Sequence, residues 1–406
     1  MKFPSRVAAM CILLLATASL ATAQGVLDLD VGAPDRRDKT IALLLDGIVD
    51  TSDGAVLTPD EAAERLRSVR LLFVGESHAS IDSHRAQTLI IEALLRSGRQ
   101  VLVGLEMFPV TEQTSLDLWI DESPTEDEFV ISSRWYEHWG YNWAYYREIF
   151  LSAQRAGARM FALNAPRHVV SAVRQKGIDN LSEEEAAYMP PRVDTDDAEH
   201  LRLFKSYFSD DDAMHAAMTD DQWRSMFAAQ CTWDATMGYN AVRALQEHGD
   251  DDAIMVVIIG SGHVSYGLGI ERQTRNFFDG PTATMIPVQV TDSDGLRIDT
   301  VRASYANYVW GIPGEDATLY PSLGLSTRAS TEAEGLSVLF APDDSPGARA
   351  GIKAGDRLLS MDGQELADKE VFNRLMATKR WGDSLELTFD RGGETRTVSI
   401  ALRRSR

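Results

Sequence analysis

The stretch Leu71–His84, LLFVGESHASIDSH, constrains this chain more than any other. Leu71–Val74 is a short apolar run of the kind that forms a strand buried on both faces. Gly75 breaks the run, and Glu76 and His78 follow at once. From His84 a helical stripe of Leu89, Ile90, Leu94 and Leu95 leads to Gly98, a natural stop. A strand therefore ends and a helix begins with a carboxylate and an imidazole in the turn between them. In a parallel sheet such a turn lies at the carboxyl edge, where ligand crevices form.

The pattern recurs along the chain. Val101–Leu105 ends at Glu106, Met160–Leu163 ends at Asn164, and Ile254–Ile259 leads into Gly260-Ser261-Gly262-His263. A further strand is expected at Thr284–Val290. Thr58-Pro59-Asp60-Glu61 is a helix start, with Thr as cap, Pro in the first turn and Glu closing the capping box. A long helix is expected over Trp223–His248. The acidic residues 180–222, with helix starts at Ser182 and Thr219, read as an insertion. Short apolar runs alternating with helices predict an α/β fold over residues 41–290, with a mostly parallel sheet flanked by helices. Residues 291–318 read as a linker, in which Tyr305, Tyr308 and Trp310 pack against something.

The 406 residues suffice for two or three domains with a sizeable core. Residues 1–24 have a basic head, an apolar stretch and Ala21-Thr22-Ala23 as a cleavage site, the pattern of an export signal. No run reaches the ~18 apolar residues of a transmembrane helix. Cys11 precedes the apolar stretch and is badly placed for lipid attachment, so no lipid anchor is expected. Cleavage would leave Cys231 alone, which excludes an internal disulfide and suits a bacterial periplasm. Cys231 is expected to pack as a small apolar residue. The net charge of −21 argues against nucleic acid and anionic membrane surfaces as partners. From Leu319 onward thirteen Lys/Arg balance thirteen Asp/Glu, so the acidity lies upstream and the charge shift marks a domain boundary.

Four strand ends deliver Glu76 and His78, Glu106, Asn164, and His263 to one edge. Any one of these residues alone reads as a turn or cap; their convergence points to a site. Two carboxylates and two imidazoles suit a divalent metal such as zinc, manganese or iron. A water on such an ion becomes a nucleophile near neutral pH, and Glu with His also makes a metal-free acid/base pair. Trp135, Trp139, Trp143 and Tyr146 recur at three- and four-residue steps, which predicts one buried helix face. Aromatic walls are also what a porphyrin face takes. Asp234 reads either as an acceptor behind His78 or His263 or as a solvated helix charge. His138, His168, His200, His215 and His248 lack ligand spacing and read as surface or cap residues. Gly260-Ser261-Gly262 lacks the lysine of a phosphate loop, which excludes a nucleotide.

These motifs carry a resemblance. Leu72–His78, His84-Arg85, Leu105–Phe108, Trp143–Tyr146, Asn164–Arg167, Trp233–Met237 and Gly260–Val264 resemble, taken together, the ChaN haem-binding uptake family of the Tiki superfamily. That superfamily also includes metal-dependent proteases and erythromycin esterases. The resemblance implies an α/β fold and a site of Glu76, His78, Glu106 and His263. It also implies haem or iron binding through a tyrosine, for which Tyr146 matches the motif and Tyr145 and Tyr266 are rivals. His84 and Arg85 are then cofactor-side residues. If the protein is an enzyme, the same resemblance implies a metal-dependent hydrolase.

Residues 319–406 read as a small β-rich domain, with strands at Leu336–Phe340, Arg357–Met361, Leu385–Phe389 and Thr397–Ala401 and a helix at Glu370–Ala377. Ser345–Asp356 and Asp362-Gly363 closely resemble a bacterial PDZ domain of the kind found in periplasmic proteases. PDZ domains accept an extended peptide as an added strand and hold its terminal carboxylate on backbone N–H groups. By resemblance, Ser322-Leu323-Gly324-Leu325 is the carboxylate loop. A spacer or a homodimer contact is the other use such a module serves.

Overall fold

The computed structural model of the chain describes residues 23–208, 218–292, 295–314, 318–330 and 334–404. Residues 1–22 of the expected export signal over residues 1–24, Asp210–Asp212 and His215 lie outside these. The described residues form two units. One comprises residues 23–129 and 146–314, and the other residues 130–145 with 318–404.

The first unit is α/β. Its strands are β1 (Thr40–Ala42), β2 (Ile48–Asp50), β3 (Val56–Leu57), β4 (Leu71–Val74), β5 (Val101–Pro109), β6 (Met160–Asn164), β7 (Ile254–Ile258), β8 (Thr282–Gln289), β9 (Thr300–Arg302) and β10 (Tyr308–Ile312). The main sheet runs β3-β2-β10-β8-β4-β7-β5-β6. From β10 to β6 every pairing is parallel, while β2 and β3 add an antiparallel edge. β4 and β7 are buried at every residue, as apolar runs covered on both faces require. The mostly parallel sheet flanked by helices is thus the fold expected from the alternation of runs.

Residues 291–318, expected as a linker, carry β9 and β10. The latter is an interior strand with all five residues buried, because Tyr308, Val309 and Trp310 suit a sheet covered on both faces. The helix after β4 spans Ile81–Arg96 and starts three residues before His84, because Ser80 caps it by accepting from the Ser83 N–H. The long helix spans Asp220–His248 and opens on a Thr219/Gln222 capping box. Thr58/Glu61 and Ser182/Glu185 make the same device. Cys231 is fully buried in the long helix, where burial pushes its thiol pKa up.

The C-terminal unit has strands β11 (Ser326–Ala329), β12 (Leu336–Phe340), β13 (Arg357–Met361), β14 (Gln364–Glu365), β15 (Ser384–Arg391) and β16 (Glu394–Ala401). They pair antiparallel in the order β11-β12-β13-β15-β16, with β14 on β13, so β11 is an edge strand. The helix Lys369–Ala377 buries Phe372 and Met376 against this sheet. Buried Asp356 accepts a two-pronged bond from Arg391, at 2.6 and 2.7 Å, and a third from the Lys353 N–H.

The aromatic stretch does not form the single helix face its spacing suggests. Trp135–His138 is one helical turn entered from Arg134 in the left-handed region, and Trp139 is extended. Trp143–Tyr145 is a 3₁₀ turn, and a new helix spans Arg147–Ala156. Gly140 and Asn142 separate the turns, so Trp135 and Trp143 meet edge-to-face at 5.0 Å inside the C-terminal unit. Tyr146 is buried in the α/β unit.

Candidate functional site

β4, β7 and β5 are neighbours in the sheet, and their carboxyl ends each contribute to one buried polar cluster. Glu76 and His78 leave β4 in the turn that Gly75 opens, and His78 Nδ1 donates to Glu76 Oε1 at 2.5 Å. Glu106 lies within β5, where the register against β6 shifts between Leu105 and Pro109. Asn164, the last residue of β6, donates its amide to the Glu106 carbonyl at 2.9 Å. His263 ends the 3₁₀ turn after β7 and places Nε2 3.5 Å from Glu106 Oε1.

Glu76, His78 and Glu106 each offer a ligand atom within 4.8 Å of the others. Gly260 supplies both a bond and room. Its N–H donates to Glu106 Oε2 at 2.7 Å, and a Cβ at this position would come within 2.9 Å of His78 Cε1.

His263 is held from behind by Asp234, which is fully buried in the long helix. His263 Nδ1 donates to Asp234 Oδ1 at 2.6 Å, and the Gln230 amide lies 2.8 Å from the same nitrogen. Of the two expectations for Asp234, the buried acceptor is the one observed. On its far side His200 Nε2 lies 3.7 Å from Asp234 Oδ2. His200 is not a surface residue: it is 1% exposed. His200, Leu203 and Phe204 form a buried stripe of the helix Ala198–Ser206, a signal that the acidic composition around them obscured. Arg272 donates to His200 Nδ1 at 3.2 Å, which leaves the ring proton on Nε2, toward Asp234.

Burial disfavours a charged His263, but the Asp234 and Glu106 carboxylates outweigh it and raise its pKa to about 10. Burial likewise opposes ionised Glu106, yet His263 and His78 hold its pKa down at about 2. His78 is raised against its burial by Glu76. Burial lowers His200 to about 4.

Tyr146 joins the cluster, donating its hydroxyl to Glu76 Oε1 at 3.2 Å while its ring lies 4.0 Å from that of His84. His84 is buried, with Nε2 3.8 Å from Glu76 Oε2 and Nδ1 bonded to Gln87. Arg85 is exposed. Tyr266 is committed elsewhere: its hydroxyl donates to the Val26 carbonyl and accepts from the Leu29 N–H, pinning the segment that follows Gln24. The Tyr145 hydroxyl accepts from the Tyr320 N–H within the C-terminal unit. There, Gly324 is left-handed and Leu323 and Leu325 are buried, with the Leu323 carbonyl accepting from Gly347 N.

The donor set fits a metal ion. Glu76 Oε2, on one of the three clustered residues, is buried without a hydrogen-bond partner, an arrangement that costs stability unless a cation offsets it. The mix of carboxylate oxygen and imidazole nitrogen suits iron, manganese or zinc. A porphyrin ligated by Tyr146 does not fit this conformation, because Tyr146 is 0% exposed and its hydroxyl points to Glu76.

Known proteins resemble the chain in two parts. A solved structure of ChaN of Campylobacter jejuni, described as binding haem cofacially, is 17% identical with a TM-score of 0.49, covering 65% of this chain and 95% of that one. The PDZ domain of HtrA3, solved with a phage-derived ligand, is 25% identical with a TM-score of 0.19, covering 20% of this chain and 85% of that one. The Arabidopsis thaliana protein RETICULATA-RELATED 5, chloroplastic, is 25% identical over 50% of this chain. A probable periplasmic serine endoprotease, DegP-like, of Rhizobium meliloti is 37% identical over 20% of this chain. The chain spans only 28% and 15% of these two relatives. Residues 321–402 match the PDZ domain, and the chain carries one there. Residues 62–273, about half of the chain, match the family of haem-binding uptake proteins of the Tiki superfamily, ChaN, and the chain belongs to that family.

Proposed function

We propose that this protein is exported to the periplasm, handles haem or iron in its α/β unit, and docks protein or peptide C-termini in its PDZ domain. One observation carries the first part: Glu76, His78 and Glu106 present ligand atoms within 4.8 Å of one another in a chain of a haem-binding family. Glu76, His78, Glu106 and His263 are the residues that would hold an ion, with Tyr146 bonded to the Glu76 carboxylate. Exposed Arg85 is the cation to meet a carboxylate of a bound porphyrin. Export is supported by the leader sequence. Peptide docking is supported by β11, a sheet edge that begins directly after the loop Ser322–Leu325.

Metal and porphyrin analysis of protein purified from the periplasm tests this reading. A Soret band, or iron bound in proportion to protein, is the expected result; a colourless protein without bound iron overturns the haem and iron assignment. Fractionation that leaves the protein in the cytoplasm overturns the export assignment. Full-length protein titrated with apolar-ended peptides is expected to prefer the free acid over the amide at least roughly tenfold, since charge-assisted hydrogen bonds are worth ~1.5–3 kcal/mol. Equal binding of both forms removes the carboxylate-reading role.

A second reading, a metal-dependent hydrolase, is favoured by the partial opening of the cluster. The His78 side chain is 18% exposed, whereas that of Glu76 is closed. A divalent ion there would supply an activated water. The chain's own contribution would be Glu76 as proton acceptor, oriented by His78 and Tyr146. Hydrolysis of model peptide or ester substrates that is lost in Glu76→Gln, with metal still bound, would establish it.

A further inference from the structure

Within the C-terminal unit, residues 130–145 are bonded both to the helix Lys369–Ala377 and to the chain that leads into the loop Ser322–Leu325 ahead of β11. That helix has three faces. Phe372 and Met376 point into the core. Val371 and Leu375, one turn apart, are only partly buried. Asn373 and Ala377, also one turn apart, lie roughly opposite them at 100° per residue. It is this last face that the upstream segment holds: Asn373 donates to the Tyr136 carbonyl at 3.0 Å, and Asn142 donates to the Ala377 carbonyl at 2.9 Å.

The same segment also holds the chain just before the loop Ser322–Leu325. The Tyr145 hydroxyl accepts from the Tyr320 N–H at 3.2 Å, two residues before the loop Ser322–Leu325. The two rings meet edge-to-face at 5.1 Å, and the Arg380 guanidinium covers Tyr320 at 4.7 Å. The segment is stiff in its own right. Trp135 Nε1 donates to the Tyr141 carbonyl, and the Tyr136 hydroxyl accepts from the Trp143 N–H.

We infer that residues 130–145 are a strap that sets the width of the peptide groove, with Asn142 and Tyr145 as its positioning residues. The inference rests on the peptide-docking reading and specifies how that site is built: a wall of the PDZ groove is braced by chain from far upstream in sequence. The strap grips the helix on the side away from Val371 and Leu375, so it orders the groove without occupying it. Ordering a wall before the peptide arrives removes that cost from binding.

The test uses the full chain and free-acid peptides ending in Val, Leu, Phe or Ala. Asn142→Ala and Tyr145→Phe each remove one bond of the strap, and each is expected to weaken the best peptide roughly fivefold or more. Amide exchange of Leu323–Leu325 and of the helix Lys369–Ala377 should quicken in the free variants and return to the wild-type rate with saturating peptide. Ile400→Val, a core change in β16, controls for simple loss of stability and should leave affinity unchanged. Unaltered affinity and exchange in both strap variants overturns the inference, as does an equal loss of affinity in Ile400→Val. If the wild type binds no peptide, the docking reading fails, and the exchange rates alone then decide whether the strap orders the groove.

Discussion

His263 Nδ1 and Asp234 Oδ1 lie 2.6 Å apart, in a bond between the turn after β7 and the middle of the long helix. The bond turns the other ring nitrogen, Nε2, toward Glu106. A carboxylate behind a histidine both fixes the ring and raises its basicity. Asp234→Asn keeps the size and removes the charge. We expect it to weaken binding of Fe²⁺ or Mn²⁺ by roughly 10–100-fold while the far-ultraviolet spectrum stays as in the wild type. Competition with a chelator measures this, and wild-type affinity in the variant would mean that His263 takes no part in holding the ion.

The absence of a side chain at Gly260 leaves room for the His78 ring. A methyl group there would sit 2.9 Å from His78 Cε1 and 3.6 Å from Glu106 Oε2. Gly260→Ala should therefore push the imidazole off the cluster, at about 1–3 kcal/mol of strain. Metal binding should fall much more than thermal stability. A variant that binds metal normally would place His78 outside the ligand set.

Tyr146→Phe keeps the ring against His84 and deletes the donor to Glu76. Since the tyrosine is closed to solvent, the variant should bind haemin with an unchanged Soret band but hold metal ions less tightly. A shifted band would put porphyrin iron on this oxygen and require the cluster to open when haem binds.

Burial holds His200 at about 4, below its ordinary 6.5. As pH falls through that window the unfolded chain takes up a proton that the folded chain refuses, so stability is lost. The loss attributable to His200 should be about 2 kcal/mol between about pH 7 and pH 5. Urea unfolding of His200→Gln at the two pH values should show a pH dependence smaller by that amount. An identical dependence in variant and wild type would mean that His200 titrates in the fold as it does in the unfolded chain.

The linear sequence determined the strands and the caps. Leu71–Val74 and Ile254–Ile258 contain nothing but apolar side chains, and only a sheet covered on both faces buries such runs completely. Thr58/Glu61, Ser182/Glu185 and Thr219/Gln222 start helices through bonds between residues three apart, so they are readable locally. Glu76, His78, Glu106 and His263 were legible because parallel strands carry their ends to one edge.

The tertiary structure decided what lies behind and beside them. His200 approaches Asp234 across helices whose packing no local spacing encodes. The aromatic stretch shows the same limit. Trp135 and Tyr146 look like one stripe in the sequence, but the extended Trp139 and the turns around Gly140 send Trp135 into the unit of the PDZ domain and leave Tyr146 against Glu76. Helical periodicity reports which side chains want burial; which core receives them depends on where the backbone breaks.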